Sequence, residues 1–251
     1  MTELIFLGTG AAVPDSDHHN THLAVRDQSG VVLVDCGSSP SIRLQEAGVE
    51  IGEVSDIVLT HFHPDHVGSL PLLLMHMWLI GRQQALRIYG LHHCLERVED
   101  VMGFYHWEDW PGFFPVAFHR LPEKERVLIL EREGLSIFAS PVRHVIPTIG
   151  LRFDIDKSSN TVAYSCDTEP CPEVVNLADG AEILIHEATG EEVGHSSARQ
   201  AGEIASKAGV DTLYLVHYPP MFTSKKELLE GAGETFSGNV IVAEDLDRLT
   251  L

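Results

Sequence analysis

One heptapeptide limits what this chain can fold into more than any other stretch. Residues 60–66 read THFHPDH and place three histidines and one aspartate within six positions, directly after the apolar run Ile57-Val58-Leu59. Such a run predicts a buried strand, and α/β sheets commonly bind ligands at the carboxyl ends of their strands. Because imidazole and carboxylate groups suit zinc and similar ions, the heptapeptide predicts a metal site at a strand end.

The spacing inside the heptapeptide predicts ligands for more than one ion. His61 and His63 alternate, so both imidazoles project from one face if the strand continues through them. Asp65 and His66 follow in the turn, where they can face a second point nearby. A single histidine in such a loop is usually solvated or makes an ordinary polar contact, but four ligand-type side chains at this spacing favour metal binding.

Size and composition predict one domain over residues 1–251. The chain is 44% hydrophobic and contains no linker rich in serine, glycine and proline. The first residues lack a basic segment, and no run of about 18 apolar residues occurs, so we expect a cytoplasmic protein without a membrane span. The four cysteines show no CxxC spacing, which favours reduced and mostly buried thiols.

The formal net charge of −20 bears on the partner. A polyanion would be repelled by most of this surface unless basic residues were gathered locally. The charge therefore argues against extensive contact with nucleic acid.

The opening of the chain predicts sequential strands. Apolar runs at residues 4–7, 20–25 and 31–34 suggest antiparallel strands, followed by a helix over residues 38–47 and the strand that carries the heptapeptide. Gly8-Thr9-Gly10 lacks a third glycine, so a dinucleotide-binding fold is not expected. Asp35 ends one strand, and its role as a turn former or as a carboxylate that orients metal ligands stays open.

Strand after strand delivers a ligand-type residue at its end. Apolar segments lead in turn to four sites along the chain, which are His144, Asp167, the pair His186-Glu187, and His217. One such residue is best explained as a turn residue, whereas four in a chain with a metal cluster predict convergence on one site. His195 precedes a predicted helix over residues 196–208, where backbone donors favour an anion.

Two apolar stretches have less certain roles. Residues 70–80 predict a buried helix rather than a cofactor site, and His76 within them is given no function. Residues 103–118 contain seven aromatic side chains. They could form a pocket wall, a dimer contact or ordinary core under a loop, and we favour the first two.

Together these motifs resemble a known family. THFHPDH is similar to the HxHxDH signature of the metallo-β-lactamase superfamily, and LGTGAAVP, VDCGSS, PVRHVIPTIGLR, YSCDT, IHEATG, GHSSARQA and LVHY resemble ribonuclease Z and its relatives. The resemblance implies an α/β fold, the four-layer αββα metallo-β-lactamase sandwich, with two zinc ions or sometimes manganese. By position it implies that His61, His63 and His144 hold one ion, that Asp65, His66 and His217 hold the other, and that Asp167 bridges them.

The resemblance also implies a hydrolytic mechanism. A water molecule between two divalent ions ionises near neutral pH and attacks the scissile centre. Asp65 would orient this water or take its proton. His195 would contact the scissile phosphate and assist the leaving group, held by Glu187, because a carboxylate partner raises the pKa of an imidazole.

The chain departs from ribonuclease Z in lacking a visible glycine- and proline-rich basic arm, which in that family clamps the tRNA elbow. We therefore leave the substrate open between an RNA 3′ end and a small phosphodiester such as a cyclic nucleotide. A metallo-hydrolase of a lactone, thioester, β-lactam or aryl sulfate is the alternative, and a non-catalytic metal-binding protein is a further one. The resemblance also permits a homodimer.

Overall fold

The structure is a computed structural model that describes residues 2–155 and 160–251. The first half contains these elements: β1 (Glu3–Gly8), β2 (His22–Asp27), β3 (Gly30–Val34), α1 (Pro40–Glu46), β4 (Val54–Val58), α2 (Pro64–Val67), α3 (Leu70–Leu79), β5 (Leu86–Leu91), α4 (His92–Phe104) and β6 (Val116–Leu121). The second half contains β7 (Val127–Arg132), β8 (Leu135–Val142), β9 (Thr148–Ile155), β10 (Asn160–Tyr164), α5 (Pro172–Ala178), β11 (Ile183–Glu187), α6 (Ala198–Ala208), β12 (Thr212–Val216), α7 (Lys225–Gly233), β13 (Asn239–Val242) and β14 (Arg248–Thr250). Short 3₁₀ turns cover Ile51–Glu53 and Trp107–Asp109.

Two seven-stranded sheets form the frame of the molecule. The first has the strand order β14-β1-β2-β3-β4-β5-β6, and the second has the order β13-β12-β11-β10-β9-β8-β7. Strands β1, β2 and β3 pair antiparallel, as the sequence predicts. From β3 to β6 the pairing is parallel, and from β10 to β13 it is parallel again. Parallel neighbours bring their carboxyl ends to one edge of each sheet, which is where loops can share a site.

Three apolar clusters show how the layers pack. One cluster joins inward-facing side chains of both sheets, including Phe6 and Val34 from the first and Ile137 and Phe153 from the second. A second cluster packs α1, α3 and α4 on the outer face of the first sheet, and a third packs α5, α6 and α7 on the second. Because each sheet buries both faces, the architecture is the predicted αββα sandwich.

Local sequence signals set the helix starts. Proline occupies the first or second position of α1, α2, α3 and α5, where its missing N–H is not needed. Helix α6 begins at Ala198, two residues later than predicted, because Ser197 and Gln200 form a capping box there. The helix predicted over residues 70–80 is confirmed as α3, which buries Leu70, Leu73, Leu74 and Met77, while Leu72 and Leu79 on its other face are 56% and 65% exposed.

The prediction of reduced, buried thiols agrees with the structure. All four cysteines are free and buried. Within residues 2–155 and 160–251, no helix combines the length and the apolar character that crossing a bilayer requires.

Candidate metal centre

Side chains from four loops meet where strands end. Strand β4 ends at Val58, so His61 and His63 lie in the following loop rather than in the strand, and His63 directly precedes α2. The loops after β8, β10 and β12 supply the others, which are His144, Asp167 and His217. All seven predicted ligand residues, with His195, belong to groups whose ligand atoms lie within 4.8 Å of one another. The structure therefore brings together the residues that the sequence nominated.

The first group consists of three ring nitrogens that face one another. Nδ1 of His63 lies 3.1 Å from Nε2 of His61 and 3.2 Å from Nε2 of His144. Nε2 of His61 lies 3.8 Å from Oδ2 of Asp167. Three nitrogens and one carboxylate oxygen are a donor set that zinc accepts in a tetrahedral arrangement.

The second group shares the same aspartate. Oδ2 of Asp167 lies 3.4 Å from Nε2 of both His66 and His217. Oδ2 of Asp65 lies 3.6 Å from Nε2 of His66 and 3.4 Å from Nε2 of His217. Asp167 thus faces both groups, which is the position required of a carboxylate that bridges two ions.

Asp35 orients two of the histidines. Its Oδ2 lies 2.8 Å from Nδ1 of His66 and accepts a hydrogen bond from the Thr60 hydroxyl, while its Oδ1 accepts one from the Thr60 backbone N–H. The Thr60 hydroxyl lies 3.1 Å from Nδ1 of His61. Because Asp35 and Thr60 accept at these positions, both rings carry the proton on Nδ1 and direct the Nε2 lone pair inward. Of the two roles left open for Asp35, the contacts support the orienting one.

Two further acceptors fix the rings of His144 and His217 in the same way. Nδ1 of His144 donates to the backbone oxygen of Gly194 at 2.7 Å. Nδ1 of His217 lies 2.8 Å from the Thr189 hydroxyl, which itself donates to the His217 backbone oxygen. The hydroxyl of Thr189 is therefore an acceptor for the ring, and both histidines present Nε2 to the cluster.

Buried atoms without partners test whether a metal fits this donor set. Within the part of the chain that the structure describes, Nε2 of His66 and Oδ1 of Asp167 are buried and accept no hydrogen bond. Leaving buried polar atoms unpaired costs free energy, whereas lone pairs that face one another are satisfied by a cation between them. The donor set is therefore one that divalent metal ions fit.

Burial and charge act on these groups in opposite directions. Burial lowers the pKa of His61, His63 and His144, which keeps these rings neutral and able to bind metal. Burial also acts to lower the pKa of His66, but the nearby carboxylates of Asp167 and Asp35 raise it by more. The pKa of His66 therefore lies well above its ordinary value. The carboxylates in this cluster thus favour positive charge beside them.

His195 and Glu187 form a pair beside the cluster. Nδ1 of His195 lies 2.9 Å from Oε1 of Glu187. Burial lowers the pKa of His195, but the hydrogen bond and the charge of Glu187 outweigh it and raise the pKa. The His195 ring lies with its centroid 4.9 Å from that of His144 and 5.8 Å from that of His217. The pair therefore adjoins both groups of ligands.

A cavity of about 570 Å³ opens above these residues. It is lined by Ala11, Ala12, Val13, His63, Asp65, Asp167, Thr189, Glu192, His195, His217, Pro219, Phe222 and Thr223. No residue of the aromatic stretch 103–118 lines it, so the interpretation of that stretch as a wall of this pocket was wrong. Trp107, Trp110 and Phe113 instead pack against the helices that cover the first sheet.

Sequence reasoning missed several residues of this site. Thr189 and Gly194 hold ligand rings through side-chain and backbone oxygens, and neither residue type signals that role. Phe222 and Val13 line the cavity with apolar side chains, which are not ligand types. The sequence signal for three of these residues is indirect, because Val13, Thr189 and Gly194 lie in the motifs LGTGAAVP, IHEATG and GHSSARQA.

Sequence comparison identifies the family and the relatives of this chain. The family model for the anti-Pycsar protein Apyc1 matches residues 2–235. A ribonuclease Z of Methanothermobacter thermautotrophicus is 32% identical over 294 aligned positions, which cover 98% of this chain and 95% of the relative. A ribonuclease Z of Mycobacterium marinum is 30% identical and covers 99% of this chain and 98% of its own.

Solved structures share the fold. The metallo-β-lactamase fold protein YhfI of Bacillus subtilis superposes with a TM-score of 0.84 at 21% identity, covering 99% of this chain and 98% of that one. The short form of human tRNase Z superposes with a TM-score of 0.80 at 24% identity and the same coverage. The two sheets and their helical layers are therefore those of the metallo-β-lactamase fold.

Proposed function

This chain belongs to the family of the anti-Pycsar protein Apyc1 and is related over nearly its whole length to ribonuclease Z, and from this premise we propose that it is a dinuclear metal-dependent phosphodiesterase. The observation that carries the proposal is the placement of the His195–Glu187 pair beside seven converging ligand residues. A metal-binding protein without catalysis has no need of such a pair. Residues 1–251 would act as one hydrolase domain, since loops from both sheets line the cavity.

In this proposal the protein holds two metal ions and a phosphodiester between them and His195. His61, His63 and His144 would hold one ion, Asp65, His66 and His217 the other, and Asp167 both. Two divalent ions would lower the pKa of a water molecule and neutralise charge on the phosphate. The raised pKa of His195 favours the protonated ring, from which Nε2 would donate a proton to the leaving oxygen. Asp65 lies beside Nε2 of His217 and would orient the attacking water.

We propose that the substrate is a small phosphodiester, such as a cyclic nucleotide, rather than RNA. Lysine and arginine are absent from the residues that line the cavity, while three carboxylates are present. A polyanion needs several cations along its path, whereas one phosphate can be held by the two metal ions alone. The volume of about 570 Å³ suits a ligand of the size of a mononucleotide.

The alignment with ribonuclease Z supports the same choice. The aligned region with the Methanothermobacter relative spans 294 positions, whereas this chain has 251 residues, so that relative carries segments that this chain lacks. This agrees with the missing arm. The identity of 32% with an enzyme named ribonuclease Z nevertheless makes an RNA 3′ end the second candidate.

A kinetic comparison tests both candidates. We expect the purified protein to hydrolyse bis-p-nitrophenyl phosphate and 3′,5′-cyclic nucleotides, and to leave a precursor tRNA uncut. Cleavage of the precursor with a larger kcat/KM than that for any cyclic nucleotide would support the RNA candidate instead. Failure with all three classes would contradict a phosphodiesterase, and hydrolysis of a lactone, thioester, β-lactam or aryl sulfate would then identify the alternative reaction.

The metal proposed is zinc, with manganese as the substitute. Five imidazoles dominate the donor set, which suits zinc, while the two carboxylates also accept manganese. Elemental analysis of the protein as purified should give two zinc ions per chain. Restoring activity to chelator-treated protein with each ion alone would show whether manganese supports turnover.

We also propose a cytoplasmic homodimer. Four free, buried cysteines suit a reducing compartment. A second copy would cover exposed apolar side chains on α3, directly after it and at the end of α4, and these are Leu72, Leu79, Ile80, Phe104 and Tyr105. Light scattering should give twice the mass of the chain, and Leu79→Glu should reduce it to that of one chain. A monomer at all concentrations would contradict the dimer.

A further inference from the structure

Exposed apolar side chains surround the polar cavity described above. Val13 and Phe222 line it and are 56% and 76% exposed. Met221 precedes Phe222, and Val193 lies between the lining residue Glu192 and Gly194; these two side chains are 62% and 79% exposed. Single exposed apolar residues are ordinary, but several around one charged cavity suggest a ligand with an apolar part.

The loop that carries Phe222 is held in place by hydrogen bonds. The backbone N–H groups of Phe222 and Thr223 both donate to the backbone oxygen of Pro219, at 3.0 Å each. The loop begins directly after His217 and Tyr218, and the backbone N–H of Ala11 donates to the Tyr218 oxygen. These bonds join the loop of Val13 to the loop of Phe222. The backbone of both loops is therefore held beside the metal ligands.

The ring of Phe222 has no aromatic neighbour in the part of the chain that the structure describes. The ring contacts there involve His195, His217 and Tyr218 nearby, but none involves Phe222. The apolar core clusters also exclude it. A planar, exposed aromatic ring on a loop held beside the proposed phosphate site is the arrangement with which proteins stack a nucleobase.

From this arrangement we propose that Phe222, with Val13, forms the subsite for the nucleobase of a small nucleotide phosphodiester whose phosphate binds at the metal centre. The inference rests on the proposed function and names the specificity-determining residue for it. No lysine or arginine lines the cavity, so the metal ions are the proposed contacts of the phosphate. These ions would bind any phosphate ester, whereas the apolar contact would select a nucleotide over a simple phosphate ester. Stacking tolerates every base, so selectivity among bases should be weak.

Binding of a nucleotide and of its base-free counterpart tests the subsite without turnover. Titration calorimetry with the metal-loaded protein should show that Phe222→Ala weakens binding of AMP about tenfold and leaves binding of ribose 5-phosphate unchanged. Phe222→Tyr, which keeps the aromatic face, should retain the wild-type affinity for AMP. Leu128→Ala is the control, because Leu128 is also an exposed apolar residue and does not line the cavity. Equal affinities of wild type and Phe222→Ala for AMP would overturn the proposal, as would an equal loss for ribose 5-phosphate.

Turnover of two esters with a common leaving group separates this inference from the proposed function. Phe222→Ala should raise KM for thymidine 5′-p-nitrophenyl phosphate about tenfold and leave methyl p-nitrophenyl phosphate unaffected. If the wild type hydrolysed neither ester, the proposed function would fail while the calorimetric comparison would still decide the subsite. If it hydrolysed both and Phe222→Ala changed neither, the subsite alone would fail. The thermal midpoint of the variant should match that of the wild type, because the side chain is mostly exposed.

Discussion

Nδ1 of His195 lies 2.9 Å from Oε1 of Glu187, a carboxylate that solvent does not reach. The same oxygen accepts hydrogen bonds from the backbone N–H groups of Thr168 and Ser196, and Oε2 accepts one from that of Thr189. Glu187 therefore cannot rotate away from the ring. Because Nδ1–H of His195 donates to Glu187, Nε2 is the nitrogen directed to the cavity, where it can act as the acid for the leaving group.

Removing the His195 ring should lower activity most for substrates whose leaving oxygen must be protonated. With a cyclic nucleotide, whose leaving oxygen needs a proton, we expect His195→Ala to lower kcat by about 10²-fold or more. With bis-p-nitrophenyl phosphate the loss should be much smaller, because p-nitrophenolate leaves without a proton. Steady-state kinetics on both substrates measure the difference.

Glu187→Gln should show the same dependence on the leaving group to a smaller extent, since the ring remains but its pKa falls. Glu131→Gln, at an exposed position on β7, serves as the control for a lost carboxylate and should match the wild type. Equal losses on both substrates for His195→Ala would argue that His195 binds the phosphate rather than donating a proton.

Asp167→Ala should remove the metal ions. Oδ2 of Asp167 faces His61, His66 and His217, so both proposed sites lose a ligand at once. We expect fewer than one ion per chain by elemental analysis, and hydrolysis at the background rate. Asp211→Ala, at an exposed position, should keep the wild-type metal content. A variant with Asp167→Ala that retained two ions and full turnover would contradict the bridging role. It would also mean that this centre does not catalyse the reaction.

Chelation offers an independent test of metal binding. A ligand that binds only the folded chain stabilises it in proportion to the logarithm of its concentration over its dissociation constant. Treatment with a chelator should therefore lower the thermal midpoint of the wild type, and zinc should restore it. The Asp167→Ala variant should show no response to either treatment.

Asp35→Asn tests the orienting carboxylate behind the metal ligands. Asp35 has a φ of 65°, a conformation that asparagine tolerates and alanine does not, so Asn changes the charge with the least backbone strain. Loss of such an orienting partner commonly weakens metal affinity about 10- to 100-fold. Competition with a chromogenic zinc chelator should show a loss of this size for Asp35→Asn. An unchanged affinity would leave Asp35 as a turn former only.

The buried His22 predicts how stability depends on pH. Burial lowers its pKa from 6.5 to about 4, and Nδ1 bonds only to the backbone oxygen of Asn20, at 2.8 Å. Between these values the unfolded chain binds the proton and the folded chain does not, so the stability is complete above pH 6.5 and declines as the pH falls toward 4. Urea unfolding across this range should show the wild type losing up to about 3 kcal/mol more than His22→Gln. Parallel losses in both proteins would show that other groups titrate instead.

The seven proposed ligand residues could be nominated from the sequence because each occurs in a segment that follows an apolar run, and the predicted strand end places it within a few residues. His63 and Asp65 are separated by one residue, so their proximity follows from local geometry. Contacts across the chain are different. Thr189 meets His217 over 28 positions, and Gly194 meets His144 over 50, through oxygens that every sequence contains in abundance.

The aromatic stretch shows the same limit from the other side. Composition identified residues 103–118 as a dense apolar segment, but the face on which it packs depends on where α3 and α4 lie on the first sheet. Trp78 stacks on Trp110 at a centroid distance of 5.0 Å, which holds that segment against the helical layer and away from the cavity. The cavity is lined instead by Val13 and Phe222, whose residue types do not indicate that position.

The sequence by itself determined the chemistry of this protein: the residue types of the donor set, their order along the chain, and the αββα frame that delivers them to strand ends. Tertiary structure alone decided which nitrogen of each ring faces inward, that Asp35 lies behind the ligand rings, and which side chains surround the cavity. The physical reason is the distance along the chain over which each effect acts. Strand period and turn residues act over a few positions, whereas the site is assembled by packing two sheets whose contributing loops, such as those of Asp65 and His217, lie 152 positions apart.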